Sequence, residues 1–143
     1  MNNIKPPTFT LVILVLTSLI ATALGLLGWF APEVHPQWID GARKLLLSWS
    51  ARELGMGIAG LVAAIWFRDA RVFAAVLAGD LVREVLDFID FFRVGDTPLR
   101  LYFVVGTSSI LHSIALYLSV DAVRKHIRKE EALPTNAAQV SAS

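Results

Sequence analysis

The chain contains no cysteine, which excludes disulfides, thiol catalysis and Cys-ligated zinc or iron-sulfur centres. A dominant charge sign is missing as well: 13 Lys and Arg stand against 12 Asp and Glu, a formal net charge of +1. The basic residues are scattered rather than gathered with aromatics into a patch, so nucleic acid is not expected as a partner. Charged residues of both signs make up only 17% of the 143 residues, while 55% are hydrophobic and the mean hydropathy is +0.60. Soluble domains hold roughly 45–50% apolar residues. Here the apolar residues come in long blocks, as a bilayer demands, and this length has room for about four spans of roughly 20 residues each.

The blocks can be taken in order. From Phe9 to Phe30 there are 22 uncharged residues, too many for the apolar region of a signal peptide, which runs to roughly 7–15 residues; a retained first span over 8–30 is expected. The connection APEVHPQWIDGARKLLLSWS places Trp38, Ala42, Leu45 and Trp49 at helical spacing, which predicts an amphipathic interfacial helix over 36–49. The second span, 50–68, has an uncharged run of only 14 residues, Leu54 to Phe67, so a full crossing draws Arg52 and Glu53 into the apolar slab. Gly57, Gly60 and Ala64 give it a small-residue edge for another helix, as Gly25 and Gly28 give the first span. The turn at Arg68 to Arg71 is short enough to make spans two and three antiparallel neighbours. A third span over 71–92, a loop with Gly95 and Pro98, a fourth span over 101–122 and a disordered tail over 132–143 complete the reading. The fold class is therefore all-α: an integral, multi-pass antiparallel four-helix membrane bundle. Seven basic residues on the terminal side against five opposite place both termini in the cytoplasm.

The third span carries the chemistry. Its stretch RVFAAVLAGDLVREVLDFIDFF holds Asp80, Arg83, Glu84, Asp87 and Asp90. At 100° per residue these five fall within a stripe roughly 120° wide, opposite Leu81, Val82, Val85, Leu86, Phe88, Ile89 and Phe92. Each charge at mid-membrane costs about 2.5–3.5 kcal/mol on insertion scales, so the stripe is expected to face the bundle interior. Arg52 and Arg83 can neutralise two of the carboxylates Glu53, Asp80, Glu84, Asp87 and Asp90. The negatives left over call for protonation, a cation or water. His112 lies near mid-span in the fourth helix, on a face with Ser108, Ser109 and Ser119, and is the candidate proton carrier. A metal site from Asp80, Glu84, Asp87 and His112 is chemically open, but no known metal-binding spacing is present, so neither metal nor cofactor is expected.

The run SARELGMGIAGLVAAIWFRDARVFAAVLAGDLVREVLDFIDFFRVG, followed by His112, resembles the small four-helix membrane families grouped around the DoxX-like proteins. The shared pattern is an Arg-Glu pair opening a glycine-rich second helix, a short basic turn, and a third helix with acidic residues near its end. The resemblance implies a four-helix architecture and, through some members, redox or lipid-related roles. A looser analogy joins the acidic stripe to sterol-isomerase-like bundles, where buried carboxylates serve lipophilic substrates.

The expected function is binding, or acid-base transformation by isomerisation, cyclisation or epoxide opening, of a lipophilic small molecule drawn from membrane lipids. Asp80, Glu84, Asp87 and His112 are the catalytic candidates; Arg52, Glu53, Arg83 and Asp90 are the charge-pairing support. The alternatives are proton or cation transport, which a homo-oligomer would serve, and a non-catalytic assembly subunit whose charges meet those of a membrane-complex partner.

Overall fold

The computed structural model describes residues 3–35, 43–94 and 99–132. Among them are four long helices and no strand: α1 (Thr8–Phe30), α2 (Arg43–Val62), α3 (Ala70–Val94) and α4 (Leu99–Glu131). A short 3-10 turn, Pro32–Val34, follows α1, and α2 closes in a π turn, Ala63–Phe67. Thr8–Phe30, Leu46–Phe67 and Tyr102–Glu131 are long and apolar enough to cross a membrane. The 25 residues of α3 match them in length, but its charged stripe keeps it outside that group.

Local sequence explains the boundaries. Pro7 enters α1 in extended geometry, φ −58° and ψ 142°, since the ring fixes φ and supplies no N–H where a helix start has none to use. Pro32 follows the helix end directly. The break expected between an interfacial helix ending at 49 and a span beginning at 50 is absent: α2 runs unbroken from Arg43, so 43–49 form its first two turns. No glycine or proline lies between Lys44 and Leu54 to interrupt it, and Leu46 and Ser50 are both buried. The remainder of that expected helix, 36–42 with Trp38, lies outside the described residues, as do the loop 95–98 and the tail beyond 132. Likewise α4 does not stop near 122 but carries the basic stretch DAVRKHIRKEE to Glu131 as one helix; the next proline is Pro134.

The helices α1 and α2 pack backbone to backbone. A Cβ on Gly25 would sit 2.7 Å from the backbone nitrogen of Leu54, and one on Gly57 would sit 2.6 Å from that of Thr22, so only glycine permits the approach. The helix α3 packs on α4, α4 also touches α1, and α2 and α3 meet sparingly. Around the α2–α3 turn the four helices close on a dry core of Ile13, Leu14, Ala63, Ala64, Phe73, Leu77 and Ala115. The outward faces are apolar, with Val82, Leu86 and Phe92 of α3 and Phe103, Ile110 and Tyr117 of α4 exposed.

The turn itself is tied down by polar contacts. Arg68 takes a left-handed conformation, φ 45°, and its N–H donates to Ala63 O at 3.0 Å, closing the π turn. Asp69 then caps α3, accepting from the Arg71 N–H at 2.8 Å and from the Arg71 guanidinium at 2.7 and 2.9 Å. The Ile4 N–H donates to the other carboxylate oxygen at 3.1 Å, and the Ala70 N–H returns to Ile4 O at 2.8 Å. The guanidinium of Arg71, helped by the backbone N–H groups of Arg71 and Ile4 and opposed by burial, holds the Asp69 carboxyl well below the usual carboxylate range.

Candidate functional site

At the other end of the bundle the helices part around charge. Glu84, 2% exposed, directs one oxygen toward α4, where it accepts from the Ser108 hydroxyl and meets His112 Nδ1 at 2.8 Å. Ser108 and His112 lie one helical turn apart, so both reach the same carboxylate oxygen. Arg83, one residue earlier on α3, turns the other way and donates to Glu53 of α2 at 2.8 Å. Its second terminal nitrogen stands 3.9 Å from Asp80 and 3.8 Å from Glu84. One turn further along α3, Asp87 accepts from Arg52 at 2.6 Å. These two ion pairs bridge α2 and α3 where apolar contact between them is thin.

Seven of the eight residues singled out from the sequence therefore converge: Arg52, Glu53, Asp80, Arg83, Glu84, Asp87 and His112. Asp90 does not join them. Its side chain is 56% exposed and its nearest cation among the described residues is Arg93 at 3.9 Å, in keeping with a place near the end of the span, within reach of interfacial water. Asp90 sits at the edge of the stripe in the last turns of α3, where a carboxylate can turn outward from the bundle.

The charges border a cavity of about 350 Å³, toward the low end of the roughly 300–1,000 Å³ found for small-molecule sites. Leu16, Ile20, Ala21 and Leu24 of α1 form one wall, Met56 and Gly57 of α2 another, and Phe103, Val104 and Leu111 of α4 a third. Glu53, Asp80, Arg83, Glu84, Asp87 and His112 form the charged part of the lining, with Ser18 and Ser108 beside them. Sequence reasoning gave α1 no chemical part, yet its middle supplies one of the apolar walls. It also did not single out Ser108 as a site residue, although its place one turn before His112 was the signal available. Hydropathy could not have revealed the cavity, because wall leucines and packed leucines read alike.

Several polar atoms here are buried without a protein hydrogen-bond partner: Glu84 Oε2, His112 Nε2 and the Nε atoms of Arg52 and Arg83. Buried polar atoms of this kind are few in native proteins, and groups of them mark places where a ligand or water completes the bonding. When His112 Nδ1 carries the proton toward Glu84, Nε2 is left as a base; when both nitrogens are protonated, Nε2 becomes a donor. Among the described residues no group of three or more His, Asp or Glu is placed to hold a metal ion. No family model, no curated protein and no solved structure matches this chain, so its chemistry has to be argued from the geometry.

Proposed function

We propose that the chain is a four-span membrane bundle that binds a lipophilic small molecule in the cavity beside Asp80, Glu84 and His112 and moves protons on it. The observation that carries this reading is the pairing of an apolar wall with one charged face around a single space of about 350 Å³. A lipophile could enter from the bilayer, lie along Leu16, Ile20 and Leu24, and set its reactive end against the carboxylates. In the membrane α3 would cross as the fourth span, its charges turned to the cavity and its exposed Val82, Leu86 and Phe92 to lipid.

Glu84 and His112 form a carboxylate-imidazole dyad 2.8 Å apart. The carboxylate orients the ring, while Ser108 fixes the carboxylate. In an isomerisation the dyad would release a proton to one carbon of an alkene, placing positive charge on the other, and the Asp80 carboxylate would remove a proton from the allylic carbon beyond it, leaving the protein unchanged in net charge. Asp80, with no cation closer than 3.9 Å, is the residue suited to face the positive charge that develops in between. Arg83 and Arg52 hold Glu53 and Asp87 as spectators, separating the structural carboxylates from the reactive ones. Epoxide opening or cyclisation would use the same groups.

Mass spectrometry of lipid extracts from the purified protein tests this reading. A hydrophobic molecule should copurify with the wild type and be lost from folded Asp80→Asn and Glu84→Gln variants. Retention of the same ligand by both variants would exclude the site. A second reading, proton transfer across the bilayer, draws on the buried Ser108–Glu84–His112 chain; it predicts a proton flux in proteoliposomes that Glu84→Gln abolishes.

A further inference from the structure

Three acceptors are left open at the cavity. Asp80 presents a carboxylate 6% exposed, with Arg83, its nearest cation among the described residues, a long 3.9 Å away. Glu84 commits one oxygen to Ser108 and His112 and leaves the other buried without a partner. His112 is 1% exposed, and with Nδ1–H directed at Glu84 its unpartnered Nε2 is a third acceptor. Arg83 donates to Glu53 at 2.8 Å and Arg52 to Asp87 at 2.6 Å, and the Nε–H groups of both arginines stay buried without reaching these acceptors. Arg52 and Arg83 against Glu53, Asp80, Glu84 and Asp87 leave two negative charges over, and Arg83 comes no closer than 3.9 and 3.8 Å to Asp80 and Glu84. A neutral ligand would leave that charge uncompensated in an apolar setting, which is costly. An alcohol or ketone would supply at most one donor and no charge.

We infer that the natural ligand of the cavity is a lipophilic amine bound as its ammonium ion, with the nitrogen seated between Asp80 and Glu84 and the hydrocarbon along Leu16, Ile20 and Leu24 of α1. This inference rests on the reading of the cavity as a ligand site and names the class of ligand. An ammonium brings the missing positive charge together with N–H donors directed at these acceptors. The apolar wall selects against hydrophilic amines, which would have to shed their water to enter. Asp80 is the recognition residue, and Glu84 is the second acceptor, held in place by Ser108 and His112.

The test uses the full chain in nanodiscs of phosphatidylcholine, titrated with N,N-dimethyldecylamine and with its uncharged carbon isostere 2-methyldodecane. Bound adducts are counted by native mass spectrometry and the shift in unfolding temperature is followed in parallel. The amine should bind at least about tenfold more tightly than the isostere, and Asp80→Asn should remove most of that difference. Glu33→Gln, which removes an exposed carboxylate that does not line the cavity, should leave it unchanged and so accounts for general attraction of cations to the protein surface. Equal binding of amine and isostere, unaffected by Asp80→Asn, would overturn the inference while leaving a lipophile-binding cavity in place. Failure of both probes to bind, together with no copurifying ligand, would overturn the cavity reading and the inference at once. Should Asp80→Asn fail to fold, the ratio of amine to isostere on the wild type decides the question alone.

Discussion

The same four helices make two unlike ends. Around the α2–α3 turn they close on Phe73, Leu77, Leu14 and Ala115, all 0% exposed, with no charge among them. At the other end, two to three helical turns away along α3, they part around Asp80, Glu84 and Asp87 and border a half-open cavity. The first end is built as stability demands, with side chains filling the space. The second gives up packing and buries more carboxylates than it can pair. Such an arrangement is expected of a site, since catalytic and binding groups are commonly held at a cost to stability.

The comparison is broken most directly at the packed end. Phe73→Ala removes the largest fully buried side chain and leaves a hole that the surrounding helices can fill only in part. Thermal or denaturant unfolding in detergent should show a loss of about 3–5 kcal/mol. An unfolding midpoint indistinguishable from wild type would mean that this end is not the stabilising core. The opposite sign is expected at the cavity. Asp80→Asn keeps the shape of the side chain but removes one under-compensated charge, and should raise stability by about 1–2 kcal/mol in the ligand-free protein. A marked loss instead would show Asp80 to be part of a balanced structural network rather than a residue retained for a ligand.

How far the sequence could be read follows the same division. The 100° periodicity that aligns Asp80, Arg83, Glu84 and Asp87 belongs to one helix, so their common face was legible. His112 could be matched to Glu84 in depth, because two antiparallel helices of like length bring their middles together. The partner choices were not legible: that Arg83 would turn to Glu53 while Arg52 took Asp87 depends on the offset between α2 and α3, which no single-helix pattern encodes. Asp90 departs from them for a related reason. Its angle on the wheel is near that of Arg83, but seven residues further along the helix the same direction no longer meets the bundle interior. The continuity of α2 through Trp49 and Ser50 was hidden because a change from amphipathic to glycine-rich composition looks like a boundary, whereas helices end where the backbone is broken, as at Arg68, or at proline.

That ending at Arg68 makes the packed end sensitive to acid. Asp69 is buried at 4% exposure and joins the N-terminal segment, through Ile4, to the first turn of α3. Because its carboxyl titrates below the usual range in the folded chain, it contributes stability that is fully present above the unfolded value of about 3.9 and is lost as pH falls through the lower folded value. At neutral pH Asp69→Ala should cost about 1 kcal/mol, as loss of a helix cap does. Lowering the pH below the ordinary carboxylate range should close the gap between variant and wild type, because the wild type then loses the same charged contacts. Unfolding of both proteins across an acid series reads this directly. A gap that stays constant through the series would show that Asp69 acts by its shape and neutral hydrogen bonds, and that the tie between Ile4 and the turn does not depend on its ionisation.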